Sequence, residues 1–299
     1  MKRALIVLPI VLLLLATPLL AQSRRRSSRA GDTIPVFVFD SGFRVLNATN
    51  PAPGVDPVTG QVWIYYVDQI AHKTMLRTSN DGITFGTATE PSSWKNDSRN
   101  TLMPDGKTWR RYHYDPHTTL LTSSISTDGA TFTAESGTRF SPQPDDHGVI
   151  GVYDLFSNQN GDVVLLYIGD LTGRNNVRRA VSHDGGLTFT FDHGNVLGDD
   201  NAGGGPNSFV DEKNLRLPDG RLRLYTMRKT VIYSFISNDD GLTFALEPGA
   251  RLQFTDFKEA ALTSLNDPVV VHLPDGRYRM YVASLRSDNV WTIVSATTQ

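Results

Sequence analysis

The sequence predicts an all-β protein, a five-bladed β-propeller built from four-stranded blades. A short turn segment occurs four times, a turn followed by an aromatic strand occurs five times, and the strand pattern missing from the last repeat occurs near the N-terminus. Repeats of about 40 to 50 residues are typical of propellers, in which each repeat forms one small sheet. The composition agrees, because Asp, Gly and Pro are abundant and only five residues are Glu, which favours turns over helices.

The first repeated segment combines Ser, Asp, Gly, Thr and Phe in a fixed order, and we call its copies the Ser-Asp turns. They are residues 79–85, 126–132, 182–189 and 237–244, and their final phenylalanines are 47, 57 and 55 residues apart. Ser and Asp side chains accept hydrogen bonds from turn N–H groups, and Gly adopts a positive φ. One aspartate should therefore hold each tight turn, namely Asp81, Asp128, Asp184 and Asp239.

The second repeated segment is a turn with a glycine, followed by an aromatic-rich strand. We call these the inner turns, and their glycines are Gly60, Gly106, Gly161, Gly220 and Gly276. The inner turns number five, one more than the Ser-Asp turns. We expect five blades in which the inner turns and the Ser-Asp turns share one face.

The fourth strand of the last blade is predicted at the opposite end of the chain. The pattern F-x-x-[DE]-x-G begins at Phe132, Phe189 and Phe244, and it recurs once at Phe37. Residues 34–46 should therefore form the outer strand of the last blade. Such pairing closes the ring and leaves no open sheet edge, so residues 34–299 are predicted to form one domain.

The N-terminus is typical of a secretory signal peptide over residues 1–21, with a basic start, an apolar run and a final Ala. The alternative is a membrane anchor, but Pro9 and Pro18 interrupt a run that is barely long enough to span a bilayer. Residues 22–33 are rich in Arg and Ser and should form a disordered linker. We expect a secreted or periplasmic protein that has no membrane contact after cleavage.

Composition and charge exclude several functional classes. The absence of Cys excludes disulfides, thiolate metal sites and a Cys nucleophile. The net charge of -2 argues against a nucleic-acid partner. His113, His117 and His147 fall in loops near acidic residues but lack clear ligand spacing. We therefore predict a monomer with no metal and no cofactor.

Carboxylates are predicted at the mouth of the central channel, where the inner strands begin. Counting nine residues back from the inner-turn glycine gives Asp97, Asp211 and Asp267 in three blades. In the third blade the nearest carboxylate is Asp154, and in the first the count gives Pro51.

Such carboxylates suit glycosidic cleavage, which needs one acid and one base or nucleophile. Crowded like charges raise one pKa and so supply the acid. Glu212, beside Asp211, is the candidate acid, and Glu259 is the reserve. The alternative is that these carboxylates cap strand starts by accepting hydrogen bonds from loop N–H groups.

The Ser-Asp turns resemble the Asp box, or BNR repeat, of sialidases and related propellers. In that family the box is a structural turn remote from the active site, so the resemblance gives its aspartates no catalytic role. Asp267-Pro268, followed by three valines, resembles the inner-strand opening of five-bladed arabinanases, xylosidases and fructosidases. There the Asp is general base or nucleophile, which implies the same role for Asp267.

The resemblance to sialidases also implies a clamp for a substrate carboxylate, formed by three arginines. Arg174, Arg228 and Arg286 lie in loops of the third, fourth and fifth blades and could form it. Tyr153 is the inner-strand Tyr that could act as a sialidase-like nucleophile. Solvated surface arginines are the alternative.

We therefore expect a carbohydrate-active propeller, a glycoside hydrolase that is exo-sialidase-like or related. The alternative is a non-catalytic Asp-box propeller that binds a glycan or a protein. A lectin should repeat similar pockets in every blade, whereas the carboxylates here differ between blades. That inequality favours the enzyme.

Overall fold

The computed structural model describes residues 34–91, 98–129, 131–169, 176–197, 209–258 and 261–299. Five antiparallel sheets form the five blades, which confirms the propeller predicted from the sequence. Within these ranges no helix is long and apolar enough to cross a membrane. The predicted signal peptide and linker lie outside the described residues.

Each blade runs from an inner strand at the channel to the periphery. The inner strands are β2 (Ala48–Val55), β5 (Arg99–Leu102), β9 (Tyr153–Ser157), β13 (Val210–Arg216) and β18 (Asn266–His272). The second strands are β3 (Val62–Asp68), β6 (Trp109–Asp115), β10 (Val163–Gly169), β14 (Leu222–Arg228) and β19 (Tyr278–Leu285).

The third strands follow across tight hairpins. They are β4 (Lys73–Ser79), β7 (Leu120–Ser126), β11 (Asn176–Ser182), β15 (Val231–Ser237) and β20 (Trp291–Thr298). The outer strands are β8 (Thr133–Ala134), β12 (Thr190–Leu197), β16 (Ala245–Leu246) with β17 (Leu252–Gln253), and β1 (Phe37–Leu46). Two short 3₁₀ helices lie at Pro144–Asp146 and Phe254–Asp256.

The N-terminal strand closes the last blade, as the sequence predicts. β1 pairs with β20 from Phe37 opposite Thr298 to Leu46 opposite Thr292. The Asp40 carboxylate accepts hydrogen bonds from the Ser295 hydroxyl at 2.7 Å and the Thr297 hydroxyl at 2.9 Å. Asp40 also pairs with Arg279 at 3.3 Å. The two ends of the chain are thus joined by backbone pairing and by a buried polar cluster.

The acidic residue of the outer-strand pattern has the same role in two other blades. Glu247 forms two hydrogen bonds of 2.8 Å with Arg223 and accepts one from the Ser234 hydroxyl. Glu135 pairs with Arg110 in the same way, at 2.8 and 2.9 Å. These charges are satisfied within their own blades, so the pattern is structural.

An arginine two residues after the pattern glycine connects neighbouring blades, and the sequence analysis missed it. Three blades carry it, as Arg44, Arg139 and Arg251. Arg44 donates to the carbonyl of Ile83 at 3.0 Å, and Arg139 donates to that of Leu187 at 2.9 Å. Both acceptors belong to the Ser-Asp turn of the next blade.

The aspartates of the Ser-Asp turns bind turn N–H groups. Asp184 Oδ1 accepts hydrogen bonds from the N–H groups of Leu187 and Thr188 at 3.0 and 2.9 Å and from the Ser182 hydroxyl at 2.6 Å. Partial burial opposes ionisation, but these hydrogen bonds together hold the pKa of Asp184 below its ordinary value. Asp81, Asp128 and Asp239 make equivalent contacts.

The Ser-Asp turns and the inner turns lie on one face, which we call the turn face. The Gln61 amide donates to Asn80 at 3.2 Å, and the Gln159 N–H donates to Asp240 at 2.7 Å. Each contact joins an inner turn to a Ser-Asp turn. Because strands alternate in direction, the inner strands begin on the opposite face, which we call the mouth face.

In the described part of the first blade, the fourth strand is represented by a single bridge between Leu76 and Thr89, whereas four full strands were predicted. The outer-strand pattern is missing after Phe85. Pro91 follows closely and has no N–H to donate to a ladder. Up to residue 91, the outer edge of this blade is therefore short.

Buried hydrophobic clusters fill four of the five interfaces between blades. They lie between the second and third, third and fourth, fourth and fifth, and fifth and first blades. Among the described residues, the interface between the first and second blades has no such cluster.

Closure by β1 predicts that a chain lacking residues 1–46 loses its cooperative melt or aggregates, because β20 then presents an unpaired edge. Circular dichroism during heating is the measurement, with a chain that begins at residue 34 as the control. A truncated chain that melts like this control would contradict the closure.

The contacts of Asp184 predict that Asp184→Ala lowers the free energy of unfolding by about 0.5 to 2 kcal/mol, by analogy with lost helix caps. Denaturant titration measures this change, and Asp184→Asn, which keeps an acceptor, should lose less. Because the turn face lies away from the strand starts, turnover should be unchanged. Loss of turnover without loss of stability would show that the functional site lies on the turn face.

Candidate active site

The inner strands of all five blades surround a central channel that contains a cavity of about 270 Å³. Its lining includes Pro51, Arg99, Asp154, Lys213 and Val270, one from each inner strand. The channel therefore combines cationic, anionic and apolar groups at one place.

Three inner strands begin with a short polar residue in the left-handed region. Asn50, Asp211 and Asp267 have φ values of 51°, 59° and 50°. Each lies where the register between inner and second strands shifts. Short polar side chains tolerate this conformation, and bulges redirect side chains. The N–H of Asp267 donates to Asp211 Oδ2 at 3.4 Å, so the structure brings these two predicted residues together.

The equivalent residue of the first blade is Asn50, not Pro51 as the count from Gly60 gave. The inner turn of this blade is one residue longer, since the Gly60 N–H donates to the carbonyl of Asp56, four residues back. In the fourth blade the Gly220 N–H donates to the carbonyl of Leu217, three residues back. The first blade thus contributes an amide where the fourth and fifth contribute carboxylates.

Glu212 is fully buried, and neither of its carboxylate oxygens has a hydrogen-bond partner among the described residues. Burial is the main cause that raises the pKa of Glu212, to about 8. The charges of Asp211 and Asp154 add to this effect, and Lys213 opposes it. Glu212 is therefore protonated at neutral pH, which is the state that a general acid needs.

Lys213 and Asp154 surround this acid with opposite charges. The Lys213 ammonium is buried and donates to the carbonyl of Glu212 at 2.8 Å. Burial lowers its pKa, and so does the charge of Arg99. Asp154 accepts hydrogen bonds from the Asn214 N–H at 2.8 Å and the Asn214 amide at 2.6 Å. Burial raises the pKa of Asp154, although the charges of Lys213 and Arg99 oppose this.

Tyr153, predicted as a substrate contact, is not among the residues that line the channel cavity. Its side chain is 1% exposed and packs in the cluster between the second and third blades. Its hydroxyl donates to the carbonyl of Tyr112 at 3.1 Å. Neighbouring side chains on a strand point to opposite sides, and Asp154 is the one that lines the channel.

Arg228 and Arg286 each lie over an aromatic ring. The Arg228 guanidinium lies over the Phe209 ring, 5.5 Å from its centroid. Arg286 lies over Phe43 of the outer strand β1, at 4.9 Å, and pairs with Asp288 at 2.7 Å. Each guanidinium thus has an aromatic partner in its own blade, and the clamp stays a prediction.

Three predicted site residues, Asp97, Arg174 and Glu259, lie outside the described residues. Within the described ranges, no three His, Asp or Glu side chains are arranged to hold a metal ion. The sequence analysis missed Lys213 and Arg99, because it searched strand starts only for carboxylates. The sequence contains a pattern that could have identified them, because each lies two residues after an aspartate found by counting back from the inner-turn glycine.

No family model matches the chain, and no curated protein sequence is significantly similar to it. Solved structures share its fold. One described as a glycoside hydrolase is 13% identical, with a TM-score of 0.64 over 89% of this chain and 92% of the other. An endo-arabinase from Bacteroides thetaiotaomicron is 14% identical, with a TM-score of 0.60 over 89% and 97%.

An α-L-arabinofuranosidase from Podospora anserina, solved in complex with cellotriose, is 11% identical. Its TM-score is 0.64 over 89% of this chain and 95% of the other. At these identities the similarity shows the fold alone, while the resemblance to sialidases stays a prediction. The chain thus has the five-bladed fold that these carbohydrate-active enzymes share.

Proposed function

We propose that this protein is a glycoside hydrolase whose active site is the mouth of the central channel, with Glu212 as general acid. The burial of Glu212 beside two other carboxylates supports this proposal most strongly, because it keeps the carboxyl group protonated at neutral pH. A structural carboxylate would be expected to have hydrogen-bond partners, as Glu135 and Glu247 do.

Asp267 is the proposed base or nucleophile. It begins the inner strand next to that of Glu212, and its backbone contacts Asp211. In the reaction Glu212 gives its proton to the glycosidic oxygen as the bond to the sugar carbon breaks. Asp267 either takes a proton from the attacking water or attacks the sugar carbon itself. In the second case water then releases the sugar, and Glu212 regains its proton.

Lys213 and Asp154 position the reacting groups. The buried Lys213 ammonium is anchored to the backbone of Glu212 and faces the charge of Asp154. Asp154 is held by Asn214 and lines the channel, where it can accept hydrogen bonds from sugar hydroxyls. Acidic and basic side chains alternate around Glu212, so its carboxyl group has polar neighbours that can orient a polar substrate.

A sialidase-type reaction has less support than a glycosidase with two carboxylates. The hydroxyl of Tyr153 is bonded within the core, and Arg286 is paired on the outer rim. The paired carboxylates need neither residue. We also propose that the enzyme acts outside the cytoplasm, because residues 1–21 have the pattern of a signal peptide.

The assignment of Glu212 and Asp267 predicts that Glu212→Gln and Asp267→Asn each lower turnover about 10² to 10⁴-fold, because proton transfer is lost. Asn tolerates the left-handed conformation at position 267, so the fold should survive. The assay is release of aryl groups from a panel of aryl glycosides that includes a sialoside, with a thermal melt of each variant.

Glu90→Gln, at an exposed ion pair with Lys73, is the matched control and should retain full turnover. Parental turnover in both active-site variants would contradict the assignment. Glycan binding by a parent that hydrolyses no glycoside would instead favour the lectin alternative.

The pKa of Glu212 predicts a pH dependence of stability. Folded Glu212 keeps its proton up to about pH 8, whereas the unfolded side chain loses it near about pH 4.3. Between these values the unfolded state binds fewer protons, so stability falls as pH rises, by at most about 1.4 kcal/mol per pH unit. Turnover should fall above about pH 8, when the acid ionises.

Denaturant titrations from pH 5 to 9 on the parent and on Glu212→Gln measure this effect. The Gln variant should lose less stability than the parent between pH 5 and 8. Equal slopes in the two proteins would contradict a raised pKa at Glu212.

A further inference from the structure

The interface between the first and second blades contains a cleft that the proposed reaction does not use. A cavity of about 380 Å³ lies there, walled by Trp63, Tyr65 and Leu76 from the first blade and by Trp109 and Gly129 from the second. Residues 56–58 of an inner turn and residues 127–129 of a Ser-Asp turn form its rim. The cleft therefore belongs to the turn face, opposite the strand starts.

A buried charge spans this interface where the other interfaces have hydrophobic clusters. The Arg111 guanidinium lies 3.7 Å from the centroid of the Phe132 ring and 6.0 Å from that of Tyr65. Its Nε donates to the Asn100 side chain at 2.9 Å. The Arg111 side chain joins the two blades, and the cavity lies beside it at Tyr65.

The aromatic walls are rigid surfaces. The Trp63 indole packs directly on the backbone of Gly54, where an added Cβ would lie 2.3 Å from the ring. The backbone of Trp109 is paired on both sides, with Leu102 and with Ser126. Its indole lies against Gly129, where an added Cβ would lie 3.3 Å from Nε1. A ligand that stacks on these rings would not have to order them, which lowers the entropic cost of binding.

The rim is polar and carries negative charge. Gln61 and Asn100 bring amides, Thr78 brings a hydroxyl, and Asp56 and Asp128 bring carboxylates. Aromatic faces suit the C–H faces of a sugar ring, and amides and carboxylates suit its hydroxyl groups. The carboxylates disfavour an anionic ligand such as a uronate.

We propose that this cleft binds a neutral saccharide ring, as a non-catalytic site that adjoins the channel cavity at Trp63, Asn100 and Trp109. A volume of about 380 Å³ lies within the usual range for small-molecule sites, roughly 300 to 1,000 Å³. The inference does not depend on hydrolysis, because the cleft shares no carboxylate with the proposed active site. A saccharide bound in the cleft would give the protein a second contact with a glycan chain, on the face of the propeller opposite the channel mouth.

The test measures binding of the full chain to soluble arabinan, xylan and β-1,3-galactan by affinity electrophoresis. All variants carry Glu212→Gln so that the polysaccharide is not cleaved. Trp109→Ala removes a stacking surface that the cleft shares with the channel cavity. Thr78→Trp fills the cleft from an exposed position that does not line the channel cavity, so this variant separates the two sites. Thr118→Trp, at an exposed hairpin of the second blade, is the matched control.

Binding to at least one polysaccharide should weaken about tenfold in both cleft variants, which corresponds to about 1.4 kcal/mol of lost aromatic contact. It should not change in Thr118→Trp.

The chain has only four Trp residues, so indole N–H signals in NMR spectra give a second readout on folded protein. The ligand should shift the Trp63 and Trp109 signals, and Thr78→Trp should abolish these shifts. Binding to none of the three polysaccharides, or equal binding by all variants, would overturn the proposal.

Discussion

The pairing of β1 with β20 is the constraint on which the rest of the structure depends. It turns a row of sheets into a ring, because the first strand of the fold completes its last blade. Only a closed ring brings the starts of five inner strands to one channel. The buried cluster around Asp40 therefore supports the site from a distance, by fixing the position of the blade that carries Asp267.

Within the ring, the chemistry depends on bulged strand starts and on burial. The left-handed conformation of Asp211 and Asp267 is uncommon for residues other than Gly, and it recurs where the inner strands meet the mouth face. Glu212, next in sequence to one of them, is removed from water without a partner. A buried carboxyl without a hydrogen bond destabilises the fold, and this cost is typical of functional sites, where local strain and desolvation create reactivity.

The sequence was sufficient for the architecture because repeats report topology directly. The five inner turns counted the blades, and the outer-strand pattern at Phe37 located the missing strand. Side-chain direction was harder to predict: Tyr153 and Asp154 are adjacent, and only the sheet decides which one lines the channel. Arg286 stacks on Phe43, more than 200 residues away in sequence. The inner turn of the first blade has one additional residue, so counting nine residues back from Gly60 gave Pro51 instead of Asn50. The cleft at Trp63 and Trp109 depends on how two blades pack, which no local pattern reports.

The central claim is that Glu212, buried beside the channel-lining residues Lys213 and Asp154, carries a proton at neutral pH. The chain has only five glutamates, so a ¹³C-labelled glutamate sample gives a sparse NMR spectrum in which each carboxyl group can be titrated. The account predicts one carboxyl signal with a pKa of about 8, absent from the spectrum of Glu212→Gln. If all the carboxyl signals titrate below about pH 6, near the ordinary range for Glu, Glu212 is ionised at neutral pH and is not the general acid.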